Sequence, residues 1–494
     1  MPVMAYQMFA LFNKHDKQIY LVGGAVRSLL ARFAPINCDF TTDATPEEIV
    51  DYLAPFDPFY DNPYGTVAFS FTNEGGEKEI YEITPFRTES GYSDRRRPDQ
   101  VSWGKDLSED LKRRDFTINA IVAGPQEGDL ILLDQFCGLA DLENKIIRAV
   151  GDPDKRFAED ALRMMRAVRF ASQLGLTIEP KTLEGIKTNF QLLKAISQER
   201  IRDELFKILT SPQPAEGVAL LVETNLIKFI LPELLDTVGV TQTGHHTMDV
   251  YDHSLESLRQ CPASDPLIRL AVLLHDIGKP KTRKWRCKRC HHKLNVENII
   301  TKTDEPLSTI IKCPTCGQEQ TQHTSTTFYG HEVVGARMAK EICQRLRLSN
   351  KQTEKLVTLV RWHMFNYDSE MTDAAIRRFI HRVGKENIND MMLLRISDRK
   401  GGLAKATSWR LQEMQKRIGE QLFEPMTVSD MAVNGHDLMK KFSIKPGPVL
   451  GKVLKQLFEE VLDDTKRNNK EYLLKRAKEL LSAGKTAKSE NRKV

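Results

Sequence analysis

Three short segments of this chain carry, in order, the residue types needed to handle a nucleoside triphosphate. Gly23-Gly24-Ala25-Val26-Arg27 comes first, Arg113-Arg114-Asp115-Phe116-Thr117-Ile118-Asn119-Ala120 second and Glu159-Asp160-Ala161-Leu162-Arg163 third. Paired glycines between a strand and a helix let backbone amides and a helix N-terminus face phosphate. An Arg/Asp pair suits phosphate and ribose. The pair Asp160 and Arg163 suits a base edge: a carboxylate accepts from an exocyclic amino group, while a guanidinium donates to a ring nitrogen or carbonyl oxygen. Such a pair takes C or A and refuses G and U. Attack on an α-phosphate also needs carboxylates to hold divalent cations. Asp39 is the first candidate, with Glu82 on a neighbouring predicted strand as a second.

Two further constellations suit metals. Cys287-x-x-Cys290 and Cys313-x-x-Cys316, separated by 22 residues, have the spacing of a tetrahedral four-cysteine zinc ribbon. Trp285, Arg286, Lys288, Arg289, His291, His292 and Lys293 surround the first pair, a mixture that suits RNA contact as well as an ordinary basic surface. Cys38, Cys137, Cys261 and Cys343 stand alone, so the paired thiols point to metal in a reducing compartment and not to disulfides. The second constellation is His253, His275-Asp276, His331, His363 and Asp398. Imidazole and carboxylate ligands suit Mn2+, Fe2+ or Ni2+ as well as Mg2+.

The elements that must position these residues change character along the chain. Short β-rich runs at Ile19 to Val22, Val67 to Phe71, Glu79 to Thr84 and Ile131 to Leu133 alternate with helical stretches and predict an α/β head over residues 1–150. Residues 151–243 read as a helical neck in which Leu162, Met165, Val168 and Ala171 share a face. Asp160 and Arg163, three apart, are expected to share a helix face as well. A second helical unit spans 244–424, with Leu267 to Leu274 as a buried helix leading into His275-Asp276; the cysteine segment at about 285–327 interrupts it as an insertion. Residues 425–494 read as helices running into a basic tail expected to be disordered.

Together the three opening segments resemble the class II tRNA nucleotidyltransferase and bacterial poly(A) polymerase family. The similarity runs from Tyr20 to about Leu205 and again from Val250 to about Ala404, and it is most like enzymes that add CCA to tRNA 3′ ends. The resemblance implies a polymerase β-like mixed sheet in the head and template-independent addition of C and A from CTP and ATP. It implies Mg2+ in the head and the tRNA acceptor arm as partner, gripped by its phosphates and A-form shape. It assigns Arg114 and Asp115 to the sugar and phosphate of the incoming nucleotide, and the base edge to Asp160 and Arg163. Gly23, Gly24, Arg27, Asn119, Arg166 and Arg169 complete the nucleotide-binding set. The family carries Asp-x-Asp where this chain has Asn37-Cys38-Asp39, and Asp where it has Ser28. The catalytic set is therefore Asp39, Asn37 and Glu82. The basic segment Arg87 to Arg97 resembles the family's mobile loop, and Glu199-Arg200-Ile201-Arg202-Asp203-Glu204-Leu205 its last neck motif, with a structural role.

The second constellation matches the ordered pattern of HD-type phosphohydrolases. By that resemblance His253, His275, Asp276 and Asp398 form the primary site, and His331 and His363 hold a second metal or contact phosphate. The implied activity is hydrolysis at RNA 3′ ends or of nucleotides. It is an alternative to nucleotide addition if the head is weakened. Poly(A) polymerase and a non-catalytic RNA-binding protein are the remaining alternatives.

Bulk composition sets the outer limits. A chain of 494 residues is too long for one core and predicts two to four domains. Its net charge of +5 is modest, but Arg95, Arg96 and Arg97 are adjacent and lysines crowd the last twenty residues. Local basic patches favour a phosphate-rich partner over a membrane. With neither a spanning apolar stretch nor a signal-peptide pattern, a cytoplasmic protein is expected. Oligomeric state is not legible.

Overall fold

The computed structural model describes residues 3–490 apart from 31–37, 61–64, 73–75, 77, 91–99, 105, 127–128, 243–247, 296–298, 302–309, 322–325, 366, 404 and 426. Asn37 and residues 91–97 of the expected basic loop lie outside the described residues. The chain divides into two compact units, one of residues 1–235 with 345–347, the other of 236–344 with 348–494.

The first unit opens on a mixed sheet. Its strands are β1 (Ile19–Val22), β2 (Cys38–Thr42), β3 (Val67–Thr72) and β4 (Lys78–Pro85), with β5 (Arg87–Ser90) and β6 (Gln100–Trp103) paired separately, and β7 (Val122–Gln126) and β8 (Asp129–Leu133) following. The six-stranded order is β3-β4-β2-β1-β7-β8, antiparallel except for the parallel pair β2 and β4. Alternation places Cys38 and Phe40 in the core with Leu21, Phe69, Tyr81 and Ile83, and leaves Asp39 and Glu82 exposed on the other face. Strand β7 was hidden in the sequence by Gly124-Pro125, which reads as a turn. The glycine is required by packing: a Cβ there would stand 2.4 Å from the Tyr20 ring.

Helices follow from the neck onward, as the change in periodicity predicts. The helix Leu162–Leu174 buries Leu162, Met165, Val168 and Ala171, and Gly175 ends it in a left-handed conformation at φ 65°. It packs against the helices Gln198–Leu209 and Pro214–Glu223.

In the second unit the helix Pro266–Leu274 is capped by Asp265, has proline in its first turn and buries seven of its nine residues. It packs against Val250–Arg259, which carries His253, Asn350–Trp362, which precedes His363, and Ile388–Gly401, which carries Asp398. The cysteine segment replaces this helical packing with two small antiparallel sheets. A separate apolar cluster is built from Leu438, Leu457, Phe458, Val461 and Leu473, and the last helix is Lys470–Glu490. Among the described residues, no helix is long and apolar enough to cross a membrane.

Candidate functional sites

Asp39 and Glu82 are register partners on the parallel strands β2 and β4, so their carboxylates leave the same face of the sheet side by side. Partial desolvation by the surrounding protein and the charge of Glu82 both raise the pKa of Asp39, although its side chain reaches the surface, and the nearby Arg114 guanidinium opposes them. Two carboxylates held against their mutual repulsion form a donor set suited to a hard divalent cation. Strand β1 lies beside β2 and ends at Gly23, whose φ of 69° turns the chain into the helix Gly24–Leu30. That sharp turn needs a residue without Cβ, which explains the first glycine of the pair.

The Arg-Arg-Asp segment is fixed by a residue that sequence reasoning missed. Asp110, fully buried in the helix Leu107–Lys112, accepts from Arg113 Nε and Arg114 Nη2, each at 3.0 Å, and faces Thr41 Oγ1 at 3.4 Å. Its position three and four residues before the two arginines was the available signal. Asp115 is buried and accepts from the Phe116 amide at 2.9 Å, Asn119 Nδ2 at 3.0 Å and Arg166 Nε at 2.7 Å. Burial raises its pKa, but Arg166 and Asn119 outweigh that and hold it at about 2. Arg27 donates to the Asn119 side-chain oxygen. The guanidinium groups of Arg27, Arg166 and Arg169 also lie 5.0, 5.5 and 4.4 Å from the Phe170 ring centroid. Asp115, Asn119, Arg27, Arg166 and Arg169 are thus brought together around a phenylalanine that the sequence did not single out.

The Asp115 to Arg166 pair gives the head a defined acid sensitivity. Its stabilisation is fully present above the ordinary carboxylate value of 3.8 and is lost as pH falls toward about 2. Asp115→Asn is expected to cost about 3 kcal/mol, the low end for a buried pair because Arg166 keeps 35% of its side chain exposed. Urea unfolding at pH 7 checks the loss. An unchanged midpoint would refute it.

Asp160 and Arg163 depart from expectation, because they do not share one helix face. The helix Pro153–Glu159 stops at Asp160, which is extended at φ −139° and ψ 103°, and a new helix begins at Leu162. The break has a local cause: Asp160 Oδ1 accepts from the Leu162 amide at 3.0 Å, competing with helix continuation. Asp160 Oδ2 accepts from Arg200 Nη2 at 2.9 Å. Arg163 donates to Glu159 at 2.6 Å and to the Arg113 carbonyl at 2.9 Å, tying the third segment to the second. The motif at 199–205 therefore supports the neck through two ion pairs, Arg200 with Asp160 and the buried Glu204 with Arg169 at 3.0 Å.

In the second unit the six histidine and aspartate residues converge from five separate segments. His253, His275 and Asp398 offer ligand atoms within 4.8 Å of one another, as do Asp276, His331 and His363. The expected grouping changes, since Asp276 falls with the second triad. It also joins the two: Oδ2 lies 3.2 Å from His275 Nε2, and Oδ1 lies 3.2 Å from His331 Nε2. His275, His331 and His363 direct Nδ1 at the carbonyls of Val272, Phe328 and Val360, at 2.7, 2.9 and 2.7 Å. That bond selects the tautomer whose Nε2 lone pair points inward, which is what a metal ligand requires. Burial and the charge of His275 push His363 down to about 3, so it is neutral at working pH. Burial works against ionisation of Asp276 and Asp398 too. His275 and Lys279 nevertheless hold Asp276 low, and His253, His275 and Arg395 hold Asp398 low. Inward-facing imidazole Nε2 atoms beside the carboxylates of Asp276 and Asp398 form a donor set that fits divalent cations. The site floors a pocket of about 730 Å3 that Lys279, Arg395 and Arg399 also line.

The four cysteines meet as their spacing predicts. Cys287 and Cys316 Sγ are 3.5 Å apart, as are Cys290 and Cys313, close to the roughly 3.8 Å edge of a tetrahedral site with 2.3 Å metal to sulfur bonds. The two loops repeat one geometry: Cys287 N donates to His292 O and Cys313 N to Gln318 O, both at 2.9 Å, while His291 and Gly317 take left-handed φ of 58° and 69°.

Much of the chain is similar to known proteins. Residues 19–148 match the family model of the poly A polymerase head domain, 175–237 that of an RNA- and SrmB-binding site of polymerase A, and 321–477 that of tRNA nucleotidyltransferase domain 2. The chain is 32% identical over 452 residues to an A-adding tRNA nucleotidyltransferase of Deinococcus radiodurans, covering 89% of this chain and 90% of that one. It is 31% identical over 469 residues to a CCA-adding enzyme of Limosilactobacillus reuteri, covering 94% of each. Against a CCA-adding enzyme of Lactobacillus helveticus identity rises to 51%, but over 42% of this chain and 50% of that enzyme, so this match spans about half of the relative's length. In fold the chain is similar to the CCA-adding enzyme of Bacillus stearothermophilus crystallised with CTP, at a TM-score of 0.64 and 24% identity over 99% of this chain and 100% of that one.

Proposed function

The chain belongs to the tRNA nucleotidyltransferase and poly(A) polymerase family, and from that premise we propose that it completes tRNA 3′ ends by adding C and A from CTP and ATP. The observation that carries this reading is the register pair Asp39 and Glu82, exposed on one sheet face with the Gly23 turn on the next strand. In it, Asp39 and Glu82 are the residues that would hold Mg2+. The chemistry such a cation would supply is activation of the RNA 3′-hydroxyl for attack on the α-phosphate and charge neutralisation of the departing pyrophosphate. Amides at the start of the helix Gly24–Leu30 and the Arg114 guanidinium receive phosphate oxygens. Asp115 and Asn119, locked by Arg166 and Arg27, position the sugar. Asp160 and Arg163 read the base edge, and their anchors Arg200 and Glu159 keep them in register with the Arg-Arg-Asp segment. The tRNA acceptor arm is held by its phosphates and A-form shape.

Purified protein, Mg2+ and labelled CTP or ATP, offered tRNA ending before CCA, after C and after CC, test this directly. Extension of all three ends is the expected result. Extension of only the end after CC would assign an A-adding role, the activity named for the Deinococcus radiodurans relative. No extension, with tRNA still bound, would overturn the polymerase reading. Within it, Arg200→Met should raise KM for both nucleotides about tenfold, because Asp160 loses a charge-assisted hydrogen bond. The kcat should change less than threefold; unchanged KM would refute the anchoring role.

A second reading concerns the second unit and is favoured by the two triads joined through Asp276. We propose that it is an HD-type phosphohydrolase site. The six side chains would hold divalent cations, and Lys279, Arg395 and Arg399 would attract the phosphate. By the same logic the four cysteines hold Zn2+, whose preference for tetrahedral thiolate matches their packing.

A further inference from the structure

The four-cysteine segment and the histidine–aspartate pocket are one structure. The strand Thr326–Thr327 pairs with Lys284–Arg286, which leads directly into Cys287. Thr327 Oγ1 also donates to the Lys284 carbonyl at 3.1 Å, and Thr326 is buried. The next residues, Phe328 and Tyr329, line the pocket. They face different ways in chemical terms. Phe328 accepts from the ligand His331 through its carbonyl, and its ring centroid lies 5.6 Å from the Lys279 ammonium. Tyr329 is 81% exposed, a large ring left in solvent at a pocket that the histidines and aspartates share with Lys279, Arg395 and Arg399. A ring so exposed is free to stack, and its face is tolerant of any base.

We infer that the four-cysteine segment is the specificity wall of this pocket, presenting Tyr329 as a stacking platform for the base of a nucleoside phosphate whose phosphoryl group lies over the two triads. This rests on the phosphate-binding reading of the histidine–aspartate site given above. The cysteine centre fixes the strand Lys284–Arg286, that strand fixes Thr326–Thr327, and Tyr329 follows two residues later. Phosphate affinity belongs to the triads and cations. Preference for a base-bearing ligand belongs to Tyr329.

Full-length protein loaded with Mn2+ is titrated calorimetrically with methylphosphonate and with a guanosine phosphonate, neither of which can be hydrolysed at the phosphorus–carbon bond. Heat that survives in Asp276→Asn arises at other sites and is subtracted. The guanosine ligand should bind about tenfold tighter than methylphosphonate. Tyr329→Ala should erase that preference while leaving methylphosphonate affinity unchanged, and Tyr329→Phe should keep it. Cys316→Ser, which opens the cysteine centre, should erase it as Tyr329→Ala does. No preference in the wild type, or a preference that survives Tyr329→Ala, overturns the stacking role. A preference lost in Tyr329→Ala but kept in Cys316→Ser overturns the role of the cysteine segment. If the wild type takes up Mn2+ and binds neither phosphonate, the phosphate-binding reading itself fails.

Discussion

Asp39→Ala is expected to reduce nucleotide addition to tRNA by at least about a thousandfold while tRNA binding is retained, the largest effect predicted for any single substitution in the head. Asp39 and Glu82 are carboxylates from paired strands, and the charge of Glu82 raises the cost of ionising Asp39. A divalent cation bound there would relieve that repulsion. The substitution should also leave the fold intact, because Asp39 lies on the face of the sheet opposite Cys38 and Phe40. Removing a carboxylate that carries a raised pKa does not remove a stabilising partner. Single-turnover extension of tRNA lacking CCA, with a filter-binding assay beside it, checks both halves. Glu82→Gln should give a smaller loss, about ten- to a hundredfold, since Asp39 keeps its charge. Equal activity of wild type and Asp39→Ala would move the catalytic centre elsewhere.

The second large effect is expected at Asp276. Its two oxygens face different triads, at 3.2 Å from His275 Nε2 and 3.2 Å from His331 Nε2. Asp276→Asn keeps the shape but withdraws the charge that, on the proposed reading, both cations would share. Changes one shell further out already weaken metal binding by ten- to a hundredfold, so loss of the bridging ligand should exceed about a hundredfold. Elemental analysis after dialysis should show the metal equivalents of this site falling from two toward none. The four-cysteine centre should keep its own metal. Addition of C and A to tRNA should be unaffected, since Asp39, Glu82 and the Arg-Arg-Asp segment belong to the other compact unit. Full retention of metal in Asp276→Asn would show that the two triads do not form a bridged pair. Lys279 sharpens the reading: it donates to Asp276 from within the same pocket, and its charge helps to keep that carboxylate ionised.

What the sequence determined by itself was chemistry carried by short, contiguous patterns. The glycine pair after a strand, the Arg-Arg-Asp run and the two Cys-x-x-Cys loops each specify local geometry within a few residues. Strand β1 and the helix Pro266–Leu274 were legible for the same reason, periodicity bounded by turn or cap residues. The register of β2 against β4 was not. It joins residues 39 and 82 across a parallel pair, and no local pattern encodes which residue stands opposite which. The break at Asp160 escaped detection because a single side chain, by bonding the Leu162 amide, overrides a helical pattern that continues on both sides. The sorting of six histidine and aspartate residues into two triads depended on which oxygen of Asp276 faced which imidazole. A side-chain rotamer inside a packed helical core decides that, and only the tertiary structure fixes the core.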